Sequence, residues 1–151
     1  MRTVLLASAV VATLMAAAGS AAAQDPSAAA TSGGTQARAG FTPDPIRVSI
    51  YSGGSIDASR LGGACVGMIA RAPDYEFSYT AGSFPLSFGV VSNGDTSLVI
   101  NGPDGRWYCN DDSDGLNPVL TWGRPQSGSY DVWVGAVGDG ASATLLITES
   151  N

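Results

Sequence analysis

The stretch DYEFSYTAGSFPLSFGVVSNGDTSLVI, residues 74–100, decides the fold class. Within it, large apolar residues alternate with polar or small ones in three runs: Tyr75, Phe77 and Tyr79; Phe84, Leu86, Phe88 and Val90; Leu98 and Ile100. Alternation with a period of two is typical of strands that bury one face, and the Gly, Ser, Asn and Asp residues between the runs are turn formers. The stretch therefore predicts three strands joined by tight turns.

The same pattern continues on both sides of this stretch. Further short strands are predicted at Ile46–Ile50, Arg106–Cys109, Val119–Trp122, Tyr130–Ala136 and Thr144–Thr148. No sustained apolar period of 3.6 follows the N-terminal segment, and only residues 58–61 suggest a helical turn. Eight or nine short strands, about ten residues apart, predict an all-β fold, an antiparallel β-sandwich of jelly-roll type.

The N-terminal residues 1–23 are predicted to be a cleavable signal peptide. Arg2 supplies the positive start, Val4–Ala18 is mostly apolar, and the small residues Ala21–Ala23 precede the expected cleavage point. The alternative is a membrane anchor, but the apolar run is shorter than the roughly 20 residues of a spanning helix and no basic stop signal follows it. We expect a periplasmic or secreted protein without a membrane span after cleavage.

The mature chain divides into a spacer and one domain. Residues 24–45 are rich in Ala, Ser, Thr, Gly and Pro, with Phe41 as the one aromatic residue. Such a composition buries too little apolar area to offset its ordering entropy, so these residues are predicted to be a disordered linker. Residues 46–151 are predicted to form the β-sandwich domain.

Charge and composition exclude several functions. The chain has 7 basic and 13 acidic residues and no His, and removal of Arg2 with the signal peptide changes the net charge from −6 to −7. Such a surface repels nucleic acid and anionic lipid. Without His, neither a Ser-His-Asp nor a Cys-His nucleophile system can be built, and a zinc site lacks its usual ligands.

The remaining enzymatic alternative is a secreted hydrolase that uses carboxylates. Asp95-Thr96-Ser97 is similar to one half of an aspartic peptidase site, which needs two copies. A glycosidase pair would have to come from the Asp residues and the two Glu residues, Glu76 and Glu149. Since no nucleophile–base pair is visible, the sequence favours a non-catalytic protein.

The two cysteines, Cys65 and Cys109, are predicted to form a disulfide. An even number of cysteines in an oxidising compartment is typical of paired thiols, and two buried free thiols are the alternative. A disulfide that closes the loop of about 45 residues from Cys65 to Cys109 would stabilise the fold by about 4 kcal/mol on the chain-entropy model.

Acidic and amide residues are densest between the strands predicted near residues 106 and 119. Carboxylate and amide oxygens are Ca²⁺ ligands, but the same residues also build turns, and both interpretations remain open. The start of the segment is similar to an EF-hand loop, but its twelfth position is Thr121 and its flanks are strand-like, which excludes that motif. The candidate calcium ligands are Asp104, Asn110, Asp111, Asp112, Asp114, Asn117 and, from a neighbouring turn, Asp95.

Three tryptophans are candidates for ligand contact. Trp133 lies on the face of its strand opposite Tyr130, Val132 and Val134. We therefore predict that Trp133 points outward and contacts a ligand such as a sugar polymer or a partner chain. Trp107 and Trp122 flank the acidic loop, and for them packing inside the domain is the favoured interpretation.

Several motifs, in this order, resemble the bacterial pre-peptidase C-terminal domains. They are Gly62–Gly67, Ala72–Asp74, Asp95–Ile100, Pro103–Gly105, Asn110–Asp112, Asn117–Pro118 and Gly128–Gly135, and the resemblance extends over residues 46–149. It implies a β-sandwich, often appended to secreted peptidases, that binds calcium or an extracellular polymer and has no catalytic residues. No peptidase domain accompanies the motifs in this chain, so a peptidase label would describe neighbouring domains in other proteins.

Together these features predict a non-catalytic exported β-sandwich, stabilised by calcium, that binds an extracellular polymer or a cell-surface protein. A carbohydrate- or matrix-polymer-binding module that uses Trp133 is the first alternative, and a secreted hydrolase is the second.

Overall fold

The computed structural model of the protein describes residues 23–150. The predicted signal peptide therefore lies outside the described residues, except for Ala23. The described part contains strands and one short 3₁₀ helix, Ala58–Leu61. The strands are β1 (Gly34–Arg38), β2 (Ile46–Tyr51), β3 (Ile56–Asp57), β4 (Met68–Ile69), β5 (Tyr75–Thr80), β6 (Leu86–Ser92), β7 (Thr96–Asn101), β8 (Trp107–Asn110), β9 (Val119–Trp122), β10 (Gly128–Ala136) and β11 (Ser142–Thr148). No helix among these residues is long and apolar enough to cross a bilayer.

The strands form two sheets that pack face to face. In sheet A, β10 lies between β5 and β7, β1 pairs with β5, and β8 pairs with β7. The short strand β4 pairs with the last residue of β10, and β3 pairs with β4. Sheet B has the order β2, β11, β6, β9. The predicted all-β sandwich is confirmed, with every predicted strand present and the helical turn in place. The three additional strands are β1 and the two-residue strands β3 and β4.

The main core lies between the inner faces of the two sheets. Alternation places one face of each strand there, as in β5, where Tyr75, Phe77 and Tyr79 are buried. Phe77 of sheet A meets Phe88 of sheet B edge to face, with ring centroids 5.9 Å apart. The apolar residues that alternate along residues 74–100 are therefore those that form the core between the two sheets.

The prediction of a disordered linker over residues 24–45 is wrong where the structure describes it. Residues 34–38 form β1, which pairs in parallel with β5, and Thr31 N donates to Pro73 O at 2.9 Å. Phe41 packs against Phe77, with ring centroids 5.8 Å apart. The physical reason is that β5 offers an unpaired edge, and backbone hydrogen bonds to it do not depend on side-chain hydrophobicity. The folded unit therefore begins before residue 46.

Residues 52–74, which we call the cover segment, fold over the outer face of sheet A. Apolar residues of this segment, among them Ile56, Cys65 and Ile69, form a second small core on that face. The backbones approach closely, because a side-chain Cβ at Gly54 would lie 2.1 Å from the carbonyl of Ile69. Glycine is therefore required at position 54.

Candidate functional site

The predicted disulfide is present and fastens the cover segment to sheet A. Cys65 lies between the 3₁₀ helix and β4, Cys109 lies on β8, and their Cα atoms are 4.9 Å apart. Both residues border the second core. The bond therefore ties the cover segment to β8 beside the second core.

The amide oxygens of the acidic loop between β8 and β9 are used within the fold. Asn110 Oδ1 accepts hydrogen bonds from Val119 N at 3.0 Å and from Ser113 Oγ at 2.7 Å. Asn117 Oδ1 accepts from Ser92 N at 3.0 Å. Asp114 and Asn117 form an isolated backbone bridge. These contacts are those of a side-chain-capped loop.

Two further candidate calcium ligands, Asp104 and Asp95, lie in separate turns. Asp104 belongs to the β7–β8 turn, where its carboxylate accepts from Tyr108 Oη at 2.7 Å and from Arg106 N at 3.0 Å. The hydrogen bond from Tyr108 is the main reason that the pKa of Asp104 is lowered. Asp95 lies in the β6–β7 turn, and its carbonyl accepts from Val137 N. Among residues 23–150, no three His, Cys, Asp or Glu side chains are grouped to hold a metal ion. Asp111 and Asp112 lie in the acidic loop with Asp114, but these carboxylates do not form such a group, and Asp104 and Asp95 lie in other turns.

Calcium is expected to leave the melting temperature of the mature chain unchanged, because the side-chain oxygens of Asp104 and Asn110 already accept hydrogen bonds in their own turns and that of Asn117 accepts one from β6. Calorimetric melts in millimolar Ca²⁺ and in a chelator measure this directly. A rise of several degrees that disappears in Asp112→Asn would establish calcium stabilisation after all.

The prediction that Trp133 contacts a ligand is wrong. Its side chain is 0% exposed and lies in the second core with Val99 of β7 and Ile69 of the cover segment. Trp107 packs beside it, with ring centroids 5.3 Å apart. The strand periodicity assigns Trp133 correctly to the outer face of sheet A, but the cover segment buries this part of that face.

Trp122 is also a packing residue, as expected. Its ring meets those of Phe88, Tyr108 and Tyr130 edge to face, at centroid distances between 5.1 and 5.8 Å. The three tryptophans therefore form no exposed aromatic platform of the kind that binds sugar rings.

Two carboxylates of sheet A and its border have raised pKa values. Burial raises the pKa of Asp74 to about 6, and its Oδ2 accepts from Val134 N at 2.7 Å. Burial, followed by repulsion from Glu76 on the neighbouring strand, raises the pKa of Asp131 to about 6. Asp74 thus joins the end of the cover segment to β10. Asp131 is half-buried on the outer face of sheet A.

The melting temperature is expected to rise when the pH falls from 7 to about 5. A carboxyl group whose pKa is higher in the folded chain than the unfolded value of about 3.9 destabilises the folded chain once it is ionised. Protonation of Asp74 and Asp131 removes this destabilisation. The carboxyls with lowered pKa values, such as Asp104, lose their stabilising effect only below about pH 3.9 and do not oppose the rise.

Calorimetry between pH 7 and 5 tests this, and the rise should be smaller in Asp131→Asn. A melting temperature that falls over this range would contradict the prediction.

A groove lies between the edges of the two sheets. It has a volume of about 720 Å³ and is bordered by β1, by the β1–β2 connection, by the start of β2 and by Thr80 at the end of β5. Arg38 comes from the edge of sheet A, and Arg47 from the edge of sheet B. Hydroxyl, amide and apolar side chains complete the lining, and no Asp or Glu is among the lining residues. We call this surface the edge groove.

Two carboxylates, Glu149 and Asp44, hold the rim of the edge groove in place. Glu149 is buried and accepts hydrogen bonds from Gly40 N at 2.7 Å and from the hydroxyl of Tyr79. Asp44 accepts from Glu149 N and from Ser150 Oγ, both at 3.3 Å. Both carboxylates therefore bind the β1–β2 connection to the end of β11.

Sequence reasoning missed the edge groove because most of its lining residues lie in the predicted spacer. The available signals were Phe41, an isolated aromatic residue, and the spacing of Arg38 and Arg47, two arginines within ten residues of an acidic chain. Thr35 and Ala37 are too small to show strand alternation.

No protein-family model matches the sequence, and no curated protein matches it either. Among solved structures, the fold is similar to that of PliG from Aeromonas hydrophila, a periplasmic lysozyme inhibitor of g-type lysozyme. The likeness has 12% sequence identity and a TM-score of 0.40, and it covers 76% of this chain and 96% of that one. The functional argument therefore rests on the residues of this chain.

Proposed function

We propose that this chain is a non-catalytic binding module that works outside the cytoplasm and binds an anionic partner in the edge groove. The observation that carries the proposal is the pair Arg38 and Arg47 in a groove that no carboxylate lines. In a chain with a net charge of −6, such a local positive site is unexpected unless it serves an anion.

Export is supported by the signal-like residues 1–23 and by the disulfide, because disulfides persist mainly in oxidising compartments. A binding role without catalysis is supported by the sequence, which has no His, and by the use of the carboxylates nearest the groove as structural hydrogen-bond acceptors. The partner is then a cell-surface protein or an extracellular polymer that carries carboxylates, which arginine binds in bidentate geometry.

Retention on immobilised polyanions tests this proposal. The mature chain should be retained on polyglutamate or polygalacturonate at low salt, although its net charge opposes this. Arg38→Ala with Arg47→Ala should abolish retention. The matched control is Arg60→Ala with Arg124→Ala, which changes the net charge equally at exposed positions outside the groove. Equal retention of the two double variants would show that the edge groove is not the site.

A further inference from the structure

We propose that the edge groove binds an extended acidic peptide, which adds to sheet A as a strand beside β1. This inference rests on the proposed function and names the partner class for the same groove.

The first step concerns the free edge of β1. Glu76 N donates to Gly33 O at 3.2 Å, and Ala39 N donates to Thr80 O at 2.9 Å, so the odd-numbered residues direct their backbone groups toward β5. Because these directions alternate along a strand, Gln36 and Arg38 direct their N–H and C=O groups toward the opposite edge, where no other strand of sheet A pairs.

The second step is that the groove follows this edge. Four consecutive residues of β1, Thr35–Arg38, line it. Successive side chains of a strand point to opposite faces, so a cavity bordered by consecutive residues lies along the backbone edge and not on one face. An extended peptide in the groove would therefore meet the unpaired backbone groups of Gln36 and Arg38 at hydrogen-bonding range of a neighbouring strand.

The third step concerns the charge and the side-chain positions. Arg38 lies on one side of the added strand and Arg47 on the other, since they belong to different sheets. Phe41, Pro43 and Ile46 supply apolar surface between them. A peptide that carries carboxylates and presents alternate side chains to the two sides matches this lining.

The fourth step distinguishes a short acidic segment from a long polyanion. A long polymer must also pass over the rest of a surface with a net negative charge, and repulsion acts over a Debye length of about 8 Å at physiological salt. A short acidic stretch of a protein contacts the groove alone. The structure therefore favours a peptide segment over a uronic-acid polymer, which has the carboxylates but lacks backbone amides.

Fluorescence anisotropy with the oxidised mature chain tests the proposal. The probe is a labelled octapeptide of alternating Glu and Thr, and the competitors are the same peptide with Gln in place of Glu, the same peptide with N-methylated alternate amides, and oligogalacturonate. The Glu peptide should bind, and each modified peptide should bind about tenfold or more weakly. Arg38→Ala with Arg47→Ala should weaken binding by a similar factor, while Arg60→Ala with Arg124→Ala should not change it.

Three outcomes would overturn the inference. If oligogalacturonate binds in an Arg38- and Arg47-dependent manner and the peptide does not, the proposed function stands and the peptide proposal fails. If neither ligand binds, both fail. If the chain dimerises in sedimentation and the Arg38→Ala, Arg47→Ala variant is monomeric, the occupant of the groove is a second copy of this chain.

Discussion

Replacing Trp133 with alanine is expected to lower the free energy of unfolding by about 3–5 kcal/mol, the range for removing a large buried aromatic side chain. The ring is fully buried between sheet A and the cover segment, and the second core is too small to refill the space. Urea unfolding, followed by circular dichroism, measures the loss.

Trp133→Phe and Trp107→Ala are the controls. Among the described residues Trp133 Nε1 has no hydrogen-bond partner, so the Phe variant removes no hydrogen bond and should lose clearly less stability. Trp107 is half-buried, so its truncation should also cost less. A loss below about 1 kcal/mol for Trp133→Ala would mean that the ring is exposed. If Trp133→Ala does not fold at all, a reduced melting temperature for Trp133→Phe still tests the burial.

Removing the disulfide is the second change with a large expected effect. Cys65→Ser with Cys109→Ser should lower the free energy of unfolding by about 4 kcal/mol, because the unfolded chain regains the entropy of an open loop with a sequence separation of 44 residues. The cover segment should open before the rest of the sandwich, since the main core does not depend on it. Hydrogen exchange should therefore show loss of protection first in β3 and β4.

Reduction of the unmodified chain with a thiol is the matched test. It should reproduce the loss of stability, and it should leave the double Ser variant unchanged. Equal protection of β3 and β6 in the reduced chain would show that the cover segment is held by packing alone.

The sandwich was predictable because its evidence is local. Each strand of the main core directs one face of alternate residues into it, and the turns use residues that favour turns in any context. β1 was not predictable in this way. Its side chains are small, and its place is determined by the backbone edge of β5, about forty residues away.

The candidate site was predicted poorly for a related reason. Periodicity assigned Trp133 to the correct face, but whether a face is covered depends on the cover segment, which the local pattern does not reveal. In the acidic loop, the residue types that bind calcium are also those that cap turns, so the sequence leaves both interpretations open. The structure adds that the amide oxygens of Asn110 and Asn117 accept hydrogen bonds within the fold. The arginines of the edge groove come together only when the edges of the two sheets meet.

The order of the strands has a consequence for the timing of folding. β10 and β11 are the last two strands of the chain, yet each lies between partners that precede it in sequence, in sheet A and sheet B respectively. When the chain emerges with its N-terminus first, as in synthesis, nine of the eleven described strands appear before these two central strands. Neither sheet is complete until β10 and β11 have emerged, so the long-range pairings that hold the sandwich together form late.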